Sequence, residues 1–403
     1  MRPGALRYPF RVNPSPITYF MVHSPLHEAS AMQSLAGQCI HRLETVSLRP
    51  APEGAPASPG DEVLLLLPIS GGTEKQMKDV RDAWDRAGRR PVWVLAIPHH
   101  SSLAASLEFL ASLHNTGIRG RVFYFDPAAG DDDPGFRAIA GAVEALRANR
   151  ILHASRLGLI GMPSDWLLTS PPDAELVRTA WGPELAYRPV EECLRALDAG
   201  QTMDQALKGL VSRHRLAALT LRCFDLLSAR DMTACLSLAR LNDEGIPAGC
   251  EGDIPSALAM MWVRALWNEP AWMANPSRLD LRLNRLTLAH CTVPFRLTSG
   301  HTIRTHFESG RGEAIAGQWT SDEVTLFRIG GPRLGEWWIG QGRVIERGRD
   351  ENLCRTQVTV EFDRADALPA LLERPLGNHL VVIPGNRAAA LDTALAIRKQ
   401  LNP

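Results

Sequence analysis

No CxxC pair occurs in this 403-residue chain, and its seven cysteines lie far apart. An odd number of scattered cysteines argues for free thiols rather than a disulfide framework. No signal-type apolar core stands in the first twenty residues, which hold prolines and charges. A secretory leader is therefore not expected, and a reducing cytoplasm is. No apolar run approaches the length that spans a bilayer; the longest, Val63 to Leu67, reads as a buried strand. An excess of one charge is also missing, since 44 Lys and Arg balance 44 Asp and Glu. That balance gives no support for nucleic acid or a membrane surface as partner. Lysine is scarce and arginine supplies most of the positive charge, which reads as coding bias rather than function. No internal repeat or low-complexity tract is found.

What remains is an ordinary globular composition. Apolar residues make up 45% of the chain, enough for real cores, and the length suggests two or three domains. After an irregular lead-in of about twenty residues, ITYFMV (Ile17 to Val22) reads as the first strand. Ala29 to Thr45 has helical spacing, and Leu48 to Gly60, rich in Pro, Ala and Gly, reads as loop. EVLLLLPISGGTEKQMKDVRDAW is a buried strand, a glycine turn and an amphipathic helix. VWVLAIPHHSSLAASLEFLASLHNTG repeats that pattern, and RGRVFYFD adds a strand. Strands with continuous apolar runs, alternating with helices, predict a parallel sheet covered on both faces.

A second unit of the same kind begins near Ile151. LHASRLGLIG reads as a strand and MPSDWLLTS as the loop at its carboxyl end. Helices over Val190 to His214 follow, then strand LTLRCFDLL, a helix through Leu238, strand-like IPAGCEGD, a long helix from Ile254 to Leu266, and strand AWMANP. Open parallel sheets bind ligands at the carboxyl ends of their strands. Loops 68–74, 98–102, 162–166, 225–231, 250–253 and 274–277 hold such positions. After about Leu286 the strands become short, with turns between them and period-two alternation in EVTLFRI. That pattern predicts an antiparallel barrel. A final helix, Ala388 to Leu401, should pack back on an α/β domain. The expected architecture is thus two parallel-sheet α/β domains (1–148 and 149–285) followed by a C-terminal antiparallel β-barrel domain (286–403).

The chemistry concentrates between Leu241 and Pro294, where Asp243, Glu244, Glu251, Asp253, Asn275 and His290 mostly sit beside expected strand ends. In CEGD, Glu251 and Asp253 stand two apart between an apolar approach and a helix. Carboxylates at such a turn can bind a hard divalent cation or shuttle protons. Asp253 also suits a helix cap, whereas Glu251 has no comparable structural excuse. His290 ends an apolar strand and His379 starts another after a glycine. HTIRTHFESGRG adds His301, His306, Glu308 and Arg311. Imidazoles with carboxylate oxygens suit Mn²⁺ or a similar ion, and the same set also occurs in plain hydrogen-bond networks.

Three earlier loops are weaker candidates. GGTEK, with Gly72 and Thr73, can offer backbone amides to an anion or to sugar hydroxyls. A tight turn with Glu74 at the helix start explains it as well. In HHSS, Ser101 or Ser102 can simply cap a helix. PSDW presents Asp165 and Trp166, a carboxylate and an indole such as a sugar site needs, with Asp165 equally a cap.

These residues together carry a resemblance. GGTEK, SSLAASLE, GMPSDWL, LNDEGIPAGCEGDIPSALAM, LAHCTVP, THFESGRG, CRTQV and LGNH resemble the L-fucose/L-arabinose isomerase family, from about Leu64 to the C-terminus. The chain is shorter than typical L-fucose isomerases and closer to the compact isomerase-like members. The resemblance implies two α/β domains and a C-terminal barrel. It implies Mn²⁺, or another divalent cation such as Co²⁺ or Mg²⁺, and aldose–ketose interconversion through a cis-enediol. It also implies a homo-oligomer, trimer or hexamer, in which a neighbouring subunit closes the pocket. Carried over, the glutamate ligand and base falls on Glu251 and the histidine ligand on His379. The aspartate ligand falls on Asn275, a departure, because a carboxamide can coordinate weakly but cannot take a proton. Asp253 or Glu308 would then supply the second carboxylate, and His290 could be an added ligand. Gly72, Thr73, Ser102, Asp165, Trp166, His290 and Arg311 are the candidate sugar contacts. Arg311, Arg355 and Lys75 would suit an anionic substituent such as sulfonate or phosphate. A sugar-binding or regulatory protein without turnover is the competing expectation, favoured by Asn275.

Overall fold

The computed structural model describes residues 17–52, 62–85, 90–170 and 173–402. The lead-in before Ile17 and the loop expected over residues 53–60 lie outside them. The chain forms two compact units: the described residues up to 146 together with those from 393 on, and residues 147–392. Among the described residues, no helix is long and apolar enough to cross a membrane.

The N-terminal unit runs β1 (Ile17–Val22), α1 (Ala29–Glu44), β2 (Leu48–Pro50), β3 (Leu64–Pro68), α2 (Glu74–Trp84), β4 (Val92–Ala96), α3 (Ser102–His114), β5 (Gly120–Tyr124) and into α4 (Pro134–His153). The strands form one parallel sheet in the order β2-β1-β3-β4-β5. Every position of β3 and β4 is buried, as strands covered on both faces require. In α2, Met77 and Trp84 are buried while Lys75, Lys78 and Asp79 are exposed, the pattern of a helix lying on a sheet. β2 occupies the start of the expected loop, where Leu48 and Arg49 pair with Ile17 and Thr18.

The second unit opens with β6 (Arg156–Ile160), α5 (Ala174–Trp181), β7 (Glu184–Arg188), α6 (Glu191–Asp198), α7 (Met203–His214), β8 (Ala218–Leu221), α8 (Cys223–Arg230), α9 (Cys235–Asp243), β9 (Ala248–Cys250) and α10 (Ile254–Trp267). Its parallel sheet has the order β7-β6-β8-β9. The expected strand LTLRCFDLL stops at Leu221. There the chain turns at Arg222, whose guanidinium binds Asp165 and Asp225, and continues as α8. α10 is apolar nearly all round and buried from Ile254 to Val263, which identifies it as a core helix.

The remainder is β10 (Trp272–Asp280), β11 (Arg285–His290), β12 (Thr298–Arg304), β13 (Ala314–Trp319), β14 (Glu323–Gly330), β15 (Glu336–Glu346), β16 (Thr356–Phe362), α11 (Ala367–Glu373), β17 (Leu380–Pro384) and α12 (Ala388–Leu401). Six strands close an antiparallel barrel in the order β10-β11-β16-β15-β14-β17. Residues two apart on five of the strands fill it, Trp272 and Ala274, Leu286 and Leu288, Val324 and Leu326, Val358 and Val360, Leu380 and Val382, and β15 adds Trp338 and Val344. The α/β-plus-barrel class is the one expected. β10, expected to finish the second α/β sheet, is a barrel stave. β12 and β13, expected in the barrel, pair with each other.

The expectation of free thiols is corrected at one place. Cys223 and Cys250 form a disulfide across 27 residues, with Cα atoms 6.1 Å apart. The pairing of Leu221 with Cys250 in adjacent strands brings the two together. Cys39, Cys193, Cys235, Cys291 and Cys354 are free.

Candidate metal centre

Glu251 follows β9 in a left-handed conformation, with φ of 63°, and Gly252 repeats it at 72°. A non-glycine residue pays about 1–3 kcal/mol for such a backbone. Three backbone hydrogen bonds hold the turn: Ser164 N–H donates to Glu251 O (2.8 Å), Gly252 N–H to Leu221 O (3.2 Å), and Asp253 N–H to Cys250 O (3.2 Å). The bond from Ser164 also ties this turn to the loop after β6. That loop brings Trp166, whose Nε1–H donates to Glu251 Oε2 at 2.6 Å. The indole is 51% exposed, so one edge serves the carboxylate while the ring remains available.

His379 stands just ahead of β17 and is fully buried. Its Nδ1 lies 2.8 Å from Asp253 Oδ2. An ionised carboxylate only accepts, so Nδ1 carries the proton and Nε2 points away from Asp253. Nε2 has no hydrogen-bond partner, and its 3.6 Å separation from Glu251 Oε1 is too long to count as one. His290, at the end of β11, engages Thr292 Oγ1 through Nδ1 at 2.8 Å, which leaves its Nε2 for other use. The two rings meet edge to face with centroids 5.5 Å apart.

Asp253 is an anchor on all sides. Its Oδ1 accepts from Ser256 N–H (2.9 Å) and so caps α10. Its Oδ2 accepts from Ser256 Oγ (2.9 Å), Arg328 Nη1 (2.8 Å) and His379 Nδ1 (2.8 Å). Arg328, from β14, is itself buried, with further bonds to Ser256 Oγ, Ser170 Oγ, His379 O and Leu376 O.

Electrostatics separate the ionisable groups. Burial alone would raise Asp253, yet Arg328 and His379 outweigh it and hold its carboxyl far below the usual range. Burial would likewise lower His379, but its bond to Asp253 and the nearby carboxylate of Glu251 push it up to about 9. Burial pushes His290 down to about 3, helped by the charge of His379. For Glu251, burial opposes ionisation but His379, His290 and Trp166 overcome it, so the net shift is downward. Glu308 moves the other way, raised by burial and then by the charge of Glu251.

Glu251, His290 and His379 therefore form a group that could hold a metal ion, with ligand atoms all within 4.8 Å of one another. The orphaned Nε2 of a fully buried imidazole is the observation that fits a cation there. Two nitrogens and carboxylate oxygen are a donor set for a first-row divalent ion. Asp253 behind His379 fixes that ring, the place an outer carboxylate takes behind a histidine able to hold a metal.

Beside this group opens a cavity of about 640 Å³, whose walls include Trp166, Phe224, Glu251, Asn275, Glu308 and Asn378. A smaller pocket behind it is shared by Glu251, Asn275, His290, His306 and Glu308. Glu251, Asn275, His290, Glu308 and Trp166 are thus drawn together from distant parts of the sequence. Asp165 lies exposed in an ion pair with Arg222. Arg311 pairs with Asp231, and Arg355 with Glu351. His301 is exposed. Gly72, Thr73 and Ser102 belong to the N-terminal unit. There Thr73 Oγ1 donates to Ser70 O (3.0 Å), and Ser102 Oγ donates to Pro68 O (2.5 Å) and accepts from Ile97 N–H (3.1 Å). Neither Ser101 nor Thr73 caps its helix through the side chain, and Lys75 pairs with Asp79.

Arg328, Thr292, Phe224 and Ser256 escaped the sequence reading. Arg328 had a signal: it interrupts the apolar run of EVTLFRI at a barrel position, where a charge requires a buried partner.

No family model matches the chain. A sulfoquinovose isomerase of Clostridium sp. (strain MSTE9) is 30% identical over 179 residues, which are 42% of this chain and 39% of that protein. A sulfoquinovose isomerase of Alkalicoccus urumqiensis is 28% identical over 131 residues, 31% of this chain and 30% of that protein. The matched stretch spans well under half the length of these curated relatives. The chain is therefore similar, over part of its length, to two sugar isomerases.

Proposed function

We propose that this chain is a metal-dependent aldose–ketose isomerase acting on an open-chain sugar. The observation that carries the reading is the convergence of Glu251, His290 and His379 beside a cavity that also holds Glu308. The names of the two partial relatives support the reaction class. We assign the ion to Glu251, His290 and His379, with Mn²⁺ first and Co²⁺ or Mg²⁺ as alternatives. When bound there, a divalent cation would supply Lewis-acid polarisation of the sugar carbonyl.

The chain's own groups handle the protons. Glu251 is kept ionised, fit to accept a proton from carbon, and Glu308 holds its proton more readily, fit to give one to oxygen. Two carboxylates pushed apart in this way suit transfer between C1 and C2 through a cis-enediol. Asp253, with its oxygens engaged, is given the orienting role. Trp166 and Phe224 offer apolar faces to the sugar, and Asn275 and Asn378 offer hydrogen bonds to hydroxyls. Assembly as a homo-oligomer belongs to the same reading, with a sulfonated hexose as the first substrate to try.

Asn275 favours a second reading, a sugar-binding protein without turnover, because it lines both cavities where the resemblance expects a carboxylate. Two measurements decide. Bound Mn²⁺ is expected near one per chain in the wild type and much less in Glu251→Gln and His379→Ala; equal metal in all three removes the centre. Incubation of the Mn²⁺-loaded protein with sulfoquinovose and a panel of aldoses in D₂O is expected to give ketose with deuterium at its C1 and, through the reverse reaction, recovered aldose with deuterium at C2. Sugar binding with neither product favours the second reading.

A further inference from the structure

We infer that Arg328 is a positioning residue of this centre, acting on His379 through Asp253. The inference rests on the reading of His379 as a ligand and names the group that keeps its ring in register.

The geometry is that of a relay. Arg328 reaches from β14 with Nη1 2.8 Å from Asp253 Oδ2, the oxygen that also accepts from His379 Nδ1 at 2.8 Å. The same Nη1 donates to Ser256 Oγ (2.6 Å) and to the backbone carbonyl of His379 (3.3 Å). Nη2 donates to Ser170 Oγ (3.2 Å), and Nε to Leu376 O (3.4 Å). One guanidinium thus joins four segments: the CEGD turn with Glu251, the start of α10, the loop that carries Trp166, and the loop that carries His379. A Cβ at Gly377, where φ is 143°, would overlap Arg328 Nη2, so this glycine leaves room for the contact.

The chemistry explains why an arginine is needed. Asp253 and His379 are fully buried, and Arg328 is 1% exposed. A carboxylate there demands a cation at fixed geometry. If Asp253 rotated, His379 would lose the acceptor that sets its tautomer, and Nε2 would no longer be held toward Glu251 and His290. A planar fork with five N–H donors can serve all four segments at once, whereas an ammonium keeps the positive charge beside Asp253 but reaches fewer of them.

The test is a double-mutant cycle on Mn²⁺ affinity, measured by calorimetry for wild type, Asp253→Asn, Arg328→Gln and the double variant. Each single change is expected to weaken binding roughly 10- to 100-fold. The double variant is expected to be no weaker than the worse single, because the two residues act in series. Additive losses, or Arg328→Gln within twofold of wild type, would overturn the inference. Should Arg328→Gln fail to fold, Arg328→Lys must bind Mn²⁺ at least tenfold more tightly than the charge-neutral double variant, and equal affinities would overturn it.

A second arm is independent of metal. In metal-free protein with ¹⁵N-labelled histidine, the buried Nδ1 proton of His379 should resonate far downfield. It should survive in Arg328→Lys and vanish in Arg328→Gln, as in Asp253→Asn. An unchanged signal in Arg328→Gln overturns the inference even if the wild type binds no Mn²⁺, an outcome that would separately end the metal reading.

Discussion

His379 Nε2 and Glu251 Oε1 face each other at 3.6 Å, the nitrogen without a hydrogen-bond partner. Two donors at about 2.1 Å from one ion, set between right and tetrahedral angles, stand roughly 3.0–3.4 Å apart. The pair therefore needs little movement to share a cation. Stabilisation by Mn²⁺ follows, because an ion that binds only the folded state adds RT ln(1 + [L]/Kd). At a hundredfold excess over Kd the gain is about 2.7 kcal/mol in wild type. It should be close to zero in Glu251→Gln. Urea unfolding with Mn²⁺ and with chelator measures it, and an equal gain in both proteins would disprove the assignment.

The metal-free protein should lose stability toward alkaline pH. His379 is raised in the fold to about 9, from an ordinary value of 6.5. Its contribution is therefore complete below pH 6.5 and is lost as pH rises through 9. Asp253 is held low and behaves oppositely: its contribution is present above about 3.9 and disappears as pH falls further. Urea midpoints in chelator should accordingly drop between pH 6.5 and 9.5, on the order of 1.4 kcal/mol for each pH unit of effective shift. His379→Gln should show no such alkaline step.

Trp166→Phe separates the ring from its N–H. Phenylalanine keeps an aromatic face toward the cavity but removes the 2.6 Å donor to Glu251 Oε2. A donor to a carboxylate favours the charged form, so its loss raises the pKa of Glu251. The acid limb of kcat/KM against pH should shift upward by a few tenths to about one unit. KM should change less than in Trp166→Ala, which loses the face as well. An unmoved acid limb would show that the indole does not tune Glu251.

Legibility in the sequence followed burial. β3, β4 and β6 announced themselves because strands covered on both faces are continuously apolar, whereas the alternation read in EVTLFRI does not mark an exposed face, since β14 is buried from Val324 to Gly330. α5, β7 and α11 are short and partly exposed, so neither period had room to appear. The CEGD turn was readable because Glu251 lacked a structural purpose. The partnership of Asp253 with His379 was not, since 126 residues separate them and only the barrel brings β17 beside α10. Arg328 carried a local signal, a charge within the apolar run of EVTLFRI, but nothing local names Asp253, 75 residues away, as its partner.

The cysteines can be counted. In denaturant without reductant the chain should show five thiols, those of Cys39, Cys193, Cys235, Cys291 and Cys354. Reduction should add the two of Cys223 and Cys250. In the native protein at pH 8, Cys39 and Cys193 should resist a disulfide reagent, because burial pushes their thiols up to about 12 and about 11. Only the thiolate attacks. Seven thiols before reduction would show that the crosslink is absent.

Gly252→Ala tests whether the strained turn is what delivers Glu251. Its φ is 72°, and a Cβ there would lie 2.7 Å from Pro163 Cα, a backbone atom that cannot step aside. Strain of this kind costs on the order of 1–3 kcal/mol, and relief requires the CEGD turn to move away from the loop that carries Trp166. The variant should therefore lose stability and also Mn²⁺ affinity, at least tenfold, with Glu251 itself intact. Gly37→Ala is the control. Gly37 lies within α1 with nothing within 4 Å of the added carbon, so alanine should stabilise by about 0.5–1 kcal/mol through helix preference. Metal affinity in Gly37→Ala should equal that of the wild type. If Gly252→Ala lowered stability but left Mn²⁺ affinity unchanged, the left-handed turn would be a matter of folding alone, and Glu251 would reach the ion by some other route.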